Sequence, residues 1–378
     1  MSQQSKLLIK AISTPLSSIF GSGFLVIVPI LAGAVGKYSG IVMAGVCLIA
    51  YAVGYVIRFN IKNAEPILAG NPGKATVGFE RTSDIALVLA YIISVCLYLH
   101  ILASFVLGSF HIDTELNENW MTTGIIVLIL IIGLTKGLEI LGSLEHVGLI
   151  ITLIIIALLI FGYGYYDFMQ WKSIAGIQLF KASDHSIWEI ITIVAGTLIV
   201  VQGFETPRYL GNDFSVDIRV KASRNSQLIA TGVYLIFIFV ALPVVHVLNG
   251  QFDDNSLIKI TTVAAGALLI PLVIAAALSQ FAAAVADTIT AAGNMGEISN
   301  NKITSKLGTL IVGVGAIALT WVADTLEILA IASRAFAFYY FLQCLVAISI
   351  SKSIIQKVFF AVISLVLLFI TIFAVPAG

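Results

Sequence analysis

Two glycine-containing breaks stand out in a chain with few polar residues. One is Phe20-Gly21-Ser22-Gly23, with Pro29 further on; the other is Gln202-Gly203-Phe204-Glu205-Thr206-Pro207-Arg208. Glycine is entropically costly in a helix and proline removes a backbone donor, so each motif marks a place where a helix stops and restarts. Amides freed at the positive end of one half-helix hold a carboxylate. Carbonyls freed on the other half coordinate a cation or accept bonds from an ammonium. A zwitterion matches that pair of poles. Glu205 is placed to face such a cavity, take a proton or hold an amine, with an ion pair to Arg208 as the structural alternative. Gln202 would orient a substrate through its amide or satisfy the broken backbone. For Gly21 and Gly23 the alternative is close helix packing.

These groups need a scaffold, and composition says what kind. The chain has 378 residues, 59% hydrophobic and 11% charged, whereas a soluble globular protein is about a quarter charged. That excludes an ordinary soluble enzyme, a nucleic-acid binder and a disordered scaffold. The 20 basic and 20 acidic side chains cancel, leaving no net field to attract an acidic partner. Cys47, Cys96 and Cys344 lie in apolar runs, which argues against a disulfide framework.

Eleven segments approach the roughly 20 apolar residues needed to cross hydrocarbon: 15–35, 40–57, 84–108, 121–135, 147–163, 187–204, 228–248, 260–286, 307–322, 326–348 and 354–374. They are continuously apolar and too long for barrel strands. The first is long, interrupted by glycine and followed by further spans, unlike a cleavable signal peptide. The expected fold is an all-α polytopic membrane protein with about 11 transmembrane helices, its main partner the lipid bilayer. The connections 59–83, 209–227 and 165–186 are too short for a folded domain.

Basic residues set the orientation. With the N-terminus cytoplasmic, Lys6, Lys10, Arg58, Lys62, Lys74, Arg81, Lys136, Arg208, Arg219, Lys221, Arg224, Lys302, Lys306, Lys352 and Lys357 fall inside. Only Lys37, Lys172, Lys181 and Lys259 fall outside, a strong positive-inside bias. The C-terminus is then external, and the plasma (inner) membrane is the expected location. The breaks lie in the first and sixth spans. In lipid an unpaired backbone group is costly unless protein or a water-filled cavity satisfies it. Matching breaks five spans apart predict a five-plus-five inverted repeat with discontinuous helices 1 and 6. The first repeat would occupy 1–165, the second 166–348, and an accessory eleventh helix 349–378.

A charge at mid-bilayer needs a partner or a cavity. Asp287 falls late in the eighth predicted span; its alternatives are a salt bridge with Arg334 or exposure to the cytoplasm. His100 suits a proton relay, though one interhelical hydrogen bond is the more ordinary role. Arg334 needs an acidic partner or a substrate carboxylate, because Glu327 is two turns away. Asp324 and Glu327 mark the turn between spans nine and ten. Phe336, Phe338, Tyr339 and Tyr340 read first as packing or interface anchors.

Gly21-Ser22-Gly23 and Gly203-Phe204-Glu205 resemble the motifs of the amino acid–polyamine–organocation transporter superfamily. The segment from Asp217-Ile218-Arg219 to Val233-Tyr234 is similar to that superfamily's link into the seventh helix. The resemblance covers about ten spans and implies the leucine-transporter fold, with substrate between the first and sixth helices. It places Tyr98 and His100, on the third helix, beside the substrate. It also implies a cation site of main-chain carbonyls near Phe20 and Gly23, with oxygens of the eighth helix. Ala284, Asp287 and Thr288 have the spacing of those ligands, with an aspartate where a hydroxyl is more common, so the site would take Na+ or H+. Proton-coupled relatives put a fifth-helix lysine there instead, and 147–163 contains neither Lys nor Arg.

No Walker phosphate loop, zinc-ligand spacing or nucleophile elbow occurs, and the acidic-plus-asparagine motif of metal-ion transporters with this fold is missing from the first span. The expectation is therefore not an enzyme and no cofactor beyond the coupling ion. It is an ion-coupled symporter of a small molecule, an amino acid or related amine. Substrate would meet Gly21, Ser22, Gly23, Gln202, Gly203, Phe204, Glu205, Tyr98 and His100. The rivals are an inorganic-ion carrier and a non-transporting membrane sensor; the oligomeric state is left open.

Overall fold

The computed structural model describes residues 3–21, 23–137, 142–172, 185–211 and 213–376. Among them the chain forms α-helices joined by turns and short 3-10 segments, with no strand. The first span is two helices, α1 (Gln3–Gly21) and α2 (Ile27–Val35). Spans two to five are α3 (Ser39–Leu68), α4 (Lys74–Ser109), α5 (Glu115–Thr135) and α6 (Gly142–Trp171). The sixth begins as α7 (Ile187–Ala195) and finishes as two 3-10 turns, Leu198–Val201 and Thr206–Tyr209. The seventh is α8 (Val216–Ala241), extended by the 3-10 segment Leu242–Leu248. After a short α9 (Ser256–Ala265) come α10 (Leu269–Ile298), α11 (Ser305–Thr320), α12 (Thr325–Ile350) and α13 (Ile354–Phe373). Eight helical stretches among the described residues are long and apolar enough to cross a membrane. The discontinuous spans are the first and the sixth.

The eighth span differs from the predicted segment 260–286. Apolar residues run straight through it, but Gly266 ends α9, and α10 starts afresh at Leu269 with Pro271 in its first turn, where a missing amide costs nothing. The span is therefore Leu269–Ile298, and Asp287 lies well inside it instead of at its end. Helices also outrun the hydropathy windows where predicted loops 59–83 and 209–227 stood. α3 continues to Leu68, α4 starts at Lys74, and α8 starts at Val216. One pair of charges there is satisfied between helices rather than by loop solvent: Arg219 donates to both carboxylate oxygens of Glu65, at 2.8 and 2.6 Å. Of the predicted connection 165–186, residues 173–184 lie outside the described residues.

α4 packs against α10 on one side and α12 on the other, so the third, eighth and tenth spans form the wall behind the two broken ones. Between α11 and α12, Asp324 and Glu327 form the expected turn as a reciprocal capping box, at 2.9 and 3.2 Å. Cys47, Cys96 and Cys344 are free and buried.

Candidate functional site

The two breaks pack against each other. α1 stops at Gly21; Ser22 lies outside the described residues; the Gly23 carbonyl then accepts from the amides of Val26 and Ile27, both at 3.1 Å, to start α2. In the sixth span Gln202 is extended and Gly203 has φ +119°, backbone that only glycine adopts readily. A Cβ on Gly203 would lie 2.7 Å from Ser18 Cβ and 2.8 Å from the Ile19 amide nitrogen. One on Gly23 would lie 2.6 Å from Val200 Cγ2, and one on Gly21 2.8 Å from Ala283 Cβ. The glycines thus interrupt helices and permit close packing at once. From α8, the Tyr234 hydroxyl reaches both breaks, donating to the carbonyls of Val200 at 2.7 Å and Ile19 at 3.0 Å, with one hydrogen shared between them. This tyrosine satisfies backbone that lipid would leave unpaired.

Polar side chains converge on the same junction. Gln202 Nε2 donates to the Tyr98 hydroxyl at 2.9 Å and to Ser18 Oγ at 3.4 Å. Glu205, fully buried, accepts on Oε2 from the Gly203 amide at 2.9 Å and from the Tyr340 hydroxyl at 2.7 Å. Phe204 stacks on Tyr340, ring centroids 5.2 Å apart. Gln202 Oε1, Glu205 Oε1 and Tyr91 Oη are buried with no hydrogen-bond partner. Tyr91 and Tyr98 lie within electrostatic range of both Glu205 and Asp287. Arg208 does not pair with Glu205. Its guanidinium turns away to Glu80 of α4 and to Gln343 of α12, while Glu205 folds back on its own break.

Asp287, only 5% exposed, accepts from the Ser94 hydroxyl of α4. It lines a cavity of about 400 Å³ that follows α1 from Ser18 to Thr14 and α10 from Ala283 to Glu297, with Tyr91 and Arg208 in its wall. The Thr288 hydroxyl donates to the Ala284 carbonyl at 2.7 Å. The hydroxyl oxygen's own lone pairs stay available to a cation, whereas the Ala284 carbonyl is engaged twice, by that hydroxyl and by the helical amide of Thr288. The contact of Gly21 with Ala283 sets the end of α1, including buried Phe20, beside this turn of α10. Arg334 is not the partner of Asp287: its Nε donates to the Ala374 carbonyl at 2.7 Å, tying α12 to the end of α13.

His100 does not join Tyr98 at the junction. Residues two apart on a helix face away from each other, and His100 lines a second cavity of about 320 Å³ with Asp113, Glu118, Asp253, Asp254 and Asp324. Burial pushes the Asp254 carboxyl up, against a bond from Ser104 at 2.7 Å. Sequence reasoning missed Ser18, Tyr91, Ser94 and Tyr234 as junction residues, and read Tyr340 as packing. Ser18 was findable, one turn before Gly21 on the same helix face. The others come from distant spans, and no local signal marks them.

A family model described as APC superfamily transporter matches residues 2–374. The chain is 37% identical over 368 residues to an uncharacterized protein of Aquifex aeolicus (strain VF5), covering 95% of this chain and 89% of that one. Among solved structures it is similar to a mutant of the Eremococcus coleocola manganese transporter, at TM-score 0.59 and 13% identity over 97% of this chain and 86% of that one. It is also similar to Mhp1, a nucleobase-cation-symport-1 family transporter in a closed conformation with bromovinylhydantoin bound, at TM-score 0.52 and 13% identity, with 90% and 77% covered. At that identity the two structures establish the leucine-transporter fold, while the family match extends over nearly all of the sequence. The chain belongs to the APC superfamily of transporters.

Proposed function

We propose that the protein is an ion-coupled secondary transporter of an amino acid or related amine, working by alternating access in the plasma (inner) membrane. One observation carries this: where the two breaks meet, a buried carboxylate has one oxygen without a partner, with Gln202 Oε1 unpartnered on the same break and Tyr91 Oη unpartnered within electrostatic range. An ammonium brings three donors and no acceptor, which complements that set. The nearest arginine of the sixth span, Arg208, is already engaged by Glu80. A solute carboxylate would be held by amides at the first break.

The coupling ion would act at Asp287, with Thr288 and main-chain carbonyls near Phe20 and Gly23. Sodium fits the Asp287 carboxylate together with the lone pairs of the Thr288 hydroxyl; a proton fits the carboxylate alone. The ion drives transport only if it binds one conformation more tightly than the other. The repeats 1–165 and 166–348 are the bodies that would rock, with the N-terminus cytoplasmic and the C-terminus external. Manganese and bromovinylhydantoin are associated with those two neighbours, not with this chain. Among the described residues no three His, Cys, Asp or Glu side chains converge to hold a metal ion.

The test is uptake into reconstituted vesicles under an imposed sodium or proton gradient, using the amine that stabilises the purified protein best. Gradient-driven accumulation is expected in the wild type, and Asp287→Asn should lose it while keeping some solute exchange. Unchanged sodium and pH dependence in that variant would refute the coupling. Ion flux indifferent to any amine would indicate an inorganic-ion carrier, and binding without counterflow a sensor.

A further inference from the structure

At one end of the bundle, α3, α8 and the turn between α12 and α13 enclose a cavity of about 820 Å³. Its wall carries four cations, Arg58, Lys62, Arg224 and Lys352, and no acid. None of the four takes part in an ion pair among the described residues. The positive-inside rule accounts for basic residues at this end, but not for this difference: Arg208 and Arg219, also on the basic side, each hold a glutamate.

Arg58 makes the cavity a built site. It is 7% exposed, its guanidinium sits 4.8 Å over the Tyr51 ring, and it donates to the Tyr51 carbonyl at 3.2 Å and to Gln227 Oε1. Gln227 is itself fixed by a bond to the Ala50 carbonyl at 2.7 Å. It lies so close to α3 that a Cβ on Gly54 would come within 2.1 Å of its Oε1. Every one of these partners is neutral. A buried guanidinium held by neutral groups keeps its full charge, and burying a charge without a counter-charge is strongly unfavourable.

We propose that this pocket binds the phosphate headgroup of an anionic membrane lipid. A guanidinium with flanking ammoniums matches phosphate oxygens, and basic pockets between spans on the cytoplasmic side suit such headgroups. The rim favours a lipid over a free anion. Tyr55 and Ile67 of the lining are 41% and 39% exposed. Just beyond, on α13, Ile355 is 77% exposed, and Phe359 packs on Tyr55 with ring centroids 5.7 Å apart. Acyl chains would lie along this apolar strip while the phosphate sits among the cations.

The experiment titrates detergent-purified protein with phosphatidylglycerol, phosphatidylcholine of the same chains, and glycerol 1-phosphate, reading thermal stability and bound lipid by native mass spectrometry. Phosphatidylglycerol is expected to bind and stabilise, with the other two weak. Arg224 and Lys352 are exposed, so Arg224→Gln/Lys352→Gln should fold and weaken phosphatidylglycerol binding roughly thirtyfold. Lys6→Gln/Lys10→Gln, which removes two exposed cations of α1, should leave binding unchanged. Arg58→Gln should abolish it; should that variant fail to fold, the exposed pair still decides. Equal stabilisation by both lipids, or equal weakening in the two double variants, would overturn the site. Equal binding of glycerol 1-phosphate would overturn the lipid as its ligand.

Discussion

At the scale of single residues, the site turns on which charges are already neutralised. Arg208 looked able to neutralise Glu205 three residues away, yet it binds Glu80, far off in sequence, and Glu205 is left with neutral donors. Removing one member of a buried pair strands the other, at about 3 kcal/mol or more. Arg208→Met should therefore lower thermal stability in detergent markedly, and Arg208→Met with Glu80→Leu should recover most of the loss. If the double variant is no more stable than the single one, the pair is not the cause. Gln202 and Glu205 were legible because polar residues beside Gly203 have no reason to sit in an apolar span unless the span opens there. Tyr340 and Ser94 were not legible, because each looks like an ordinary helix residue until folding brings α12 and α4 alongside.

Elements were legible where chemistry punctuates them and obscure where it does not. Both interruptions follow from glycine and proline, and both are present in the fold. The eighth span was misplaced because hydropathy sees no boundary between α9 and α10. The end of α3 and the start of α8 were read as loops because an ion pair between two helices looks, residue by residue, like two solvated charges. Gly203 is where this scale is most exposed to test. Gly203→Ala imposes both a left-handed φ on alanine and a Cβ against α1, and should destabilise by about 2 kcal/mol and abolish solute binding. Gly232→Ala, in α8 with open space around it, should leave binding intact and stabilise by at most about 1 kcal/mol. Equal behaviour of the two variants in a thermal-melt and binding comparison would show that the breaks do not need to touch.

Across the whole molecule, a net charge of zero conceals a strong polarity. Asp113, Glu115, Glu118, Asp253, Asp254 and Asp324 surround one cavity, whereas Arg58, Lys62, Arg224 and Lys352 surround another. Composition reports only that the totals cancel; the order of spans and the positive-inside pattern reveal the separation. The native cysteines are buried, so labelling of introduced ones has little background. In intact cells an impermeant thiol reagent should label Glu115→Cys at once, and Lys302→Cys only after permeabilisation. The opposite result would invert the orientation. The claim on which the rest depends is that both breaks build a single solute site around Glu205. Its most direct test is thermal stabilisation of the purified protein by a panel of amino acids and amines, with and without sodium, in the wild type and in Glu205→Gln. At least one amine should stabilise the wild type, and the same amine should bind Glu205→Gln at least about tenfold more weakly, as expected on losing a charge-assisted hydrogen bond. Undiminished stabilisation of Glu205→Gln by every amine that binds the wild type would contradict it.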